Sequence, residues 1–257
     1  RFEDKPVANI NAKTVAGLKH YFKNGVVEIG VTGDFDPDVL IEKVRVTLGA
    51  LPARRAAFPS DKSDFDDVRV TPQLEQTFFY AGDDKQMALF YCWPVPNEPE
   101  TERKNKTLLP MQIVKNEMVK ALRYDNGLAY APQTTIRDTL QFPDFRYGCA
   151  LFQIDPENEL LVRKTMAALF KRLKAGDIAE EDYGRARKPL EVDAYRMTEC
   201  SQRMMGIVAR AASDGEWVQT IMGLGDWHTQ VKFTEIKTHI QEIFGEPEPR
   251  LIRIQAY

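Results

Sequence analysis

The sequence predicts an α+β domain, a sheet of short strands covered by helices on one face. Three observations carry this. Residues 74–93 alternate apolar and polar positions on both sides of a turn, so they read as paired strands. Stretches at 36–49, 111–126, 155–176 and 234–244 space apolar residues by three and four, so each reads as a helix with one buried stripe. Strands come in hairpins and helices are collected together, the pattern of a sheet covered on one side.

In chain order, Val15, Leu18 and Phe22 make the stripe of a helix over residues 12–22 that Asn24-Gly25 stops. The whole of 1–257 is read as one domain, with 1–24 open to being the tail of a preceding helix. Gly25 starts a strand, since Val26, Val27, Ile29 and Val31 form a β-rich run to Gly33. Asp36-Pro37 supplies an N-cap and a first-turn proline for a helix with Leu40, Ile41, Val44 and Leu48 inward, closed by Gly49. Pro52 to Asp67 lacks periodicity and is a loop.

Leu74 to Ala81 and Met87 to Trp93 are expected to form a hairpin turned at Gly82 to Lys85. The next helix is expected to start between Thr107 and Pro110, because proline is tolerated only in a first turn. A second hairpin joins Ala129 to Gln141 with Arg146 to Ile154, turned at Pro143-Asp144. Asp155-Pro156 caps a helix with Val162, Met166, Leu169 and Leu173 inward and Gly176 at its end. From Ala179 to Gly245 the chain reads as mostly helical: Pro189 begins or kinks one segment, and Thr234 caps a last helix with Ile236, Ile240, Ile243 and Phe244 inward. Leu251, Ile252 and Ile254 form a closing strand.

Composition excludes several classes of function. The 35 basic and 38 acidic residues nearly cancel, so no basic excess recommends nucleic acid or an anionic membrane as a partner. The longest apolar runs, such as Met87 to Trp93, fall far short of the roughly 20 residues a membrane-spanning helix needs. Cys92, Cys149 and Cys200 are odd in number and contain no C-x-x-C pair, so they read as buried free thiols. The chain opens at Arg1 with neither an initiator methionine nor a signal sequence, which suggests a piece of something longer.

The stretch from Met111 to Gln133 holds the chemistry. Met111, Val114, Met118 and Leu122 form a buried stripe, and Asn126-Gly127 ends the helix because glycine takes the left-handed conformation without steric cost. Arg123 therefore sits on the last turn and Tyr130 near the start of a strand. The tight turn at Gly127 can aim a guanidinium and a phenol at one point, and both are donors suited to a carbonyl oxygen or a developing oxyanion. Taken singly, an arginine at a helix C-terminus and a tyrosine opening a strand also have ordinary structural explanations.

Arg123-Tyr124-Asp125-Asn126-Gly127-Leu128-Ala129-Tyr130 resembles the Arg-x-x-x-Gly-Leu-x-Tyr signature of second-half domains of the pitrilysin/insulinase family of zinc peptidases. Glu28 to Asp36 is similar to the family's strand and Gly-Asp-x-Asp turn, and Leu48-Gly49-Ala50-Leu51-Pro52 to the helix end after it. The resemblance implies a mixed, largely antiparallel sheet with helices packed on one face. It also implies a non-catalytic half that closes over peptide substrates beside an N-terminal, zinc-binding half of the same longer protein. Arg123 and Tyr130 would then donate hydrogen bonds to the substrate carbonyl, with Gly127 as the turn that positions them. Tyr124-Asp125-Asn126 departs from the Glu and basic residues more usual there, which affects local salt bridging more than the Arg-Tyr pair.

The family's His-x-x-Glu-His is absent. His20, His228 and His239 are the only histidines and none lies three or four residues from another, so no metal is expected in this chain and zinc is expected on the partner half. No Gly-x-Ser-x-Gly elbow or phosphate-cradling glycine loop is present either. The chain is therefore expected to be inactive alone, soluble, and periplasmic or secreted. A structural or assembly subunit of the same fold is the alternative, and a stand-alone hydrolase a third.

Overall fold

The computed structural model describes residues 12–54, 74–82, 85–96, 105–129, 131–137, 145–209, 211–212, 215–245 and 248–257. They divide into two compact units, one of residues 62–194 and 223–257 and one of residues 2–61 and 195–222.

Among the described residues the larger unit is built on five strands: β1 (Glu75–Tyr80), β2 (Met87–Pro94), β3 (Gln133–Arg137), β4 (Tyr147–Ile154) and β5 (Arg250–Ala256). Their order across the sheet is β1-β5-β2-β4-β3, with β1 and β5 parallel and every other pair antiparallel. The sheet is mixed, largely antiparallel and open. Along β2 the side chains of Met87, Leu89, Tyr91 and Trp93 are buried while those between them are partly exposed, the two-residue period of a strand with one face on a core.

That core is closed by helices α3 (Asn105–Met118), α4 (Glu159–Lys174) and α9 (Phe233–Gly245). The predicted stripes are the buried residues: Met111, Val114, Met118 and Leu122; Val162, Met166, Leu169 and Leu173; Ile236, Ile240, Ile243 and Phe244. Asp155 caps as expected, its carboxylate accepting from Glu157 N at 3.1 Å, on a short 3-10 turn (Pro156–Asn158) that leads into α4. Helix α5 (Glu180–Glu199) is tied to the approach to α9 by Tyr183 Oη, which donates to Val231 O at 2.6 Å.

Four expectations are corrected. First, β1 and β2 do not form a hairpin, because β5 lies between them, with Leu251 opposite both Glu75 and Tyr91. The closing strand has apolar residues on both faces, so a central position buries more of it than an edge would, and the local turn signal decides only where the flanking strands end. Second, α3 starts at Asn105, which places Pro110 inside the helix rather than in its first turn. Pro189 likewise lies inside α5. Third, α9 starts at Phe233, one residue ahead of the expected Thr234 cap. Fourth, Cys92 and Cys149 form a disulfide, leaving Cys200 free. Register explains the pair: the two cysteines face each other across β2 and β4 with Cα atoms 4.1 Å apart. The predicted turns at Pro143-Asp144 and Pro52 to Asp67 lie wholly or largely outside the described residues.

The smaller unit contains α1 (Ala12–Asn24), α2 (Pro37–Val46), α6 (Ser201–Val208) and α7 (Gly215–Met222). Asp36 caps α2 as expected, its Oδ1 accepting from Asp38 N at 2.9 Å and Val39 N at 3.2 Å. The predicted inward stripe of α2 is not buried; Ile41 is 64% exposed and Leu48 47%. Residues 26–32 are extended but pair with no strand among the described residues, a further correction. They lie instead against α6: Thr32 Oγ1 donates to Ser201 O at 3.0 Å, and Ala212 N to Glu28. Gly30 permits this approach, since a Cβ there would come 2.7 Å from Ala209 N.

A buried histidine makes the larger unit sensitive to pH. His228, on α8 (Leu224–Gln230), is 1% exposed, and its Nδ1 has no hydrogen-bond partner among the described residues. Burial lowers its pKa below the usual histidine value; the nearby Arg187 lowers it too, against the opposing charge of Glu191. A depressed folded-state pKa means the unfolded chain binds the proton more readily. The stabilisation is therefore complete above the unfolded value of about 6.5 and is lost as pH falls from there through the folded-state pKa. Urea unfolding between pH 8 and 5 should show stability dropping by up to about 1.4 kcal/mol per pH unit within that window, and His228→Gln should flatten it. A wild-type profile matching that of the variant would remove this role.

Candidate functional site

The site begins with how α3 ends. After Met118 the helix widens into a π-helical turn, Val119–Tyr124, in which Asp125 N reaches back to Lys120 O at 3.0 Å. One extra residue in a turn rotates the next side chains by about 100° relative to an α-helix, and such turns recur at functional sites. Leu122 stays in the core while Arg123 and Tyr124 emerge exposed.

A helix end leaves its last carbonyls without intrahelical donors, and here those of Lys120 to Arg123 are each satisfied. Lys120 O accepts from Asp125 N, and Ala121 O accepts from Asn126 Nδ2 at 2.7 Å. Leu122 O accepts from Leu128 N at 2.6 Å and Ala129 N at 3.2 Å, and Arg123 O accepts from Gly127 N at 3.0 Å. The turn depends on Gly127, whose φ of 65° is left-handed. Nothing lies within 4 Å of a Cβ placed there, so Gly127→Ala should cost only the backbone strain, about 1–2 kcal/mol by urea unfolding. An unchanged midpoint would show that the turn tolerates alanine.

Six residues upstream of Arg123, the buried Glu117 anchors α3. Its carboxylate accepts from Arg172 Nη1 of α4 at 3.0 Å, and Arg172 Nε also holds Asp177 at 3.2 Å. Burial pushes the Glu117 carboxyl up from its ordinary value, as does the charge of Asp182, while Arg172 works against both. Glu117 is not among the residues that the sequence motifs single out. The available signal is its place next to Met118 and three residues from Val114, on the flank of the apolar stripe, where a carboxylate demands a partner.

Arg123 itself lines an open groove of about 600 Å³ together with Lys85, Gln153, Asp155 and Asn158. Its guanidinium stands over the Tyr124 ring, 5.4 Å from the centroid. The structure thus brings Arg123 and Gly127 to one polar groove at the end of β4; Tyr130 lies outside the described residues. Among the described residues no group of three or more His, Cys, Asp or Glu is arranged to hold a metal ion. His20 faces Asn24 Nδ2 at 3.2 Å and His239 faces Glu242 at 3.4 Å. The described residues therefore do not fit zinc. No helix among them is long and apolar enough to cross a membrane.

Known proteins share this architecture. The structure is similar to the periplasmic protease PqqL from Escherichia coli, with a TM-score of 0.64 at 13% identity over 88% of this chain and 25% of that one. It is similar to pitrilysin, with a TM-score of 0.62 at 16% identity over 97% of this chain and 26% of that one. A peptidase M16 inactive domain from Pseudomonas fluorescens matches with a TM-score of 0.63 at 12% identity, over 87% of this chain and 51% of that one. The chain thus spans between a quarter and about half of these relatives, and at such identities the likeness is one of fold. No curated protein matches the sequence significantly. The sequence model of the peptidase M16 inactive domain matches residues 18–190, more than half of the chain, and the chain belongs to that family.

Proposed function

We propose that this chain is the non-catalytic half of a zinc metallopeptidase, closing over peptide substrates beside an N-terminal half that carries the zinc. The observation that carries the reading is the placement of Arg123: a guanidinium on a helix end closed by the Gly127 turn, at the lip of a polar groove. In this reading zinc on the partner half supplies the activated water. Arg123 donates N–H groups to the carbonyl oxygen of the scissile peptide as negative charge develops there, and Tyr130 adds a second donor. The capped turn fixes the backbone from which Arg123 projects toward the groove, which limits what must be reorganised to the side chain itself.

We place the protein outside the cytoplasm, in the periplasm or secreted. The Cys92–Cys149 disulfide supports an oxidising compartment.

The test is peptide hydrolysis by this chain alone, by the His-x-x-Glu-His half alone, and by the two together in zinc-containing buffer. Turnover only in the mixture, abolished by a chelator, is expected. Turnover by this chain alone would favour a stand-alone hydrolase, and none in any mixture would favour an assembly subunit.

A further inference from the structure

Two carboxyl groups meet in the interior of the larger unit. Glu117 of α3 is 3% exposed and Asp182, in the first turn of α5, is 7% exposed, and their side chains lie within hydrogen-bonding reach of each other. Ionised carboxylates only accept hydrogen bonds, so two of them in contact have no bond to make and repel. Water screens that repulsion little, because both groups are buried.

The guanidinium groups nearby do not cancel it. Glu117 accepts from Arg172 Nη1 at 3.0 Å, but Arg172 is about half exposed and also holds Asp177 at 3.2 Å. Asp182 accepts from Arg185 Nη2 at 2.8 Å, and the exposed Arg185 is shared with Glu181 at 3.3 Å. Two cations, Arg172 and Arg185, thus face four carboxyl groups, Glu117, Asp177, Glu181 and Asp182, and the cations are solvated, which weakens their pull. Helices α8 and α9 and strand β3 also pack on α3, but the leading charges acting on Glu117 are those of Asp182 and Arg172.

One proton resolves the arrangement. Arg172 occupies Oε2 of Glu117 and leaves Oε1 able to carry a hydrogen, while Asp182, held by Arg185, is placed to accept it. Burial, and after it the charge of Asp182, pushes the Glu117 carboxyl up from its ordinary value, so Glu117 is the group that keeps the proton.

We propose that Glu117 and Asp182 share one proton in the folded protein, Glu117 donating to Asp182, and that this bond is a pH-operated latch between α3 and α5. In acid the latch is closed. As pH rises the proton leaves, and like charges press the two helices apart. The latch does not depend on the peptidase reading.

Carbon-13 NMR of the whole chain, labelled at the side-chain carboxyls and assigned through the backbone, tests this. The Glu117 signal should titrate above those of the exposed glutamates. In Asp182→Asn, which keeps the shape and adds a donor, its midpoint should fall toward them, whereas burial alone would leave it in place. Glu117→Gln mimics the protonated acid, its carbonyl accepting from Arg172 and its amide donating to Asp182. Because the folded protein holds this proton more tightly than the unfolded chain, the latch contributes fully below the unfolded value of about 4.3 and is lost as pH rises through the folded midpoint. Relative to wild type, Glu117→Gln should therefore gain stability to urea as pH rises, by up to about tenfold in the unfolding constant per pH unit. The contribution of His228 is common to both proteins and cancels. A Glu117 signal that titrates with the exposed glutamates overturns the proposal, as does a midpoint unmoved by Asp182→Asn. So does a stability difference between wild type and Glu117→Gln that is flat with pH. If Asp182→Asn does not fold, the wild-type spectrum decides: the Asp182 signal should move together with that of Glu117, and its staying still overturns the proposal.

Discussion

On the proposed function, Arg123→Ala in a peptidase assembled from this chain and a zinc-binding half is expected to lower kcat by about 10² to 10³, the effect of deleting one donor aimed at a developing oxyanion. Folding should shift by no more than about 0.5 kcal/mol, because the side chain is exposed and the backbone bonds that cap the helix do not involve it. Arg123→Lys should retain charge but lose the fork of N–H donors, giving a turnover between those of wild type and alanine. Steady-state kinetics on a fluorogenic peptide, read beside urea unfolding of the same variants, separates the two effects. A rise in KM alone, with kcat unchanged, would make Arg123 a contact for the ground state as much as for the transition state.

Removing the Cys92–Cys149 bond should be the largest change to stability. The cysteines are 57 residues apart, and closing a loop of that size stabilises by about 4 kcal/mol when estimated from lost chain entropy alone. The Cys92→Ala/Cys149→Ala double variant should therefore unfold at markedly lower urea, and reductant should shift wild type toward it. Under denaturing, non-reducing conditions the protein should titrate with one reactive thiol, Cys200. Three thiols would restore the free-cysteine reading and remove the support for an oxidising compartment.

Local features were legible in the sequence. Helix stripes such as Val162, Met166, Leu169 and Leu173 were readable because a 3.6-residue period reports directly which side of a helix leaves water. The caps at Asp36 and Asp155 and the left-handed Gly127 were readable because each is set within a few residues of itself. Partners distant along the chain were not. Nothing in Leu74 to Trp93 indicates that Leu251 will enter between two strands, and three cysteines without a short spacing do not reveal that register sets two of them face to face. The run from Val26 to Thr32 has the propensity of a strand, but propensity does not provide a ladder partner. At the candidate site, Arg123 and Gly127 were visible in the motif, while the π turn that redirects Arg123 and the Glu117–Arg172 anchor were not. Both depend on how α3 meets the core and α4, which a single helix does not show.

Chemical rescue measures most directly whether this guanidinium acts at the reacting centre. Free guanidinium, added in increasing concentration to the Arg123→Ala peptidase, should restore kcat in a saturable way while leaving wild type unaffected. A defect that guanidinium does not relieve, in a variant that folds and binds peptide normally, would contradict a direct role for Arg123 in turnover.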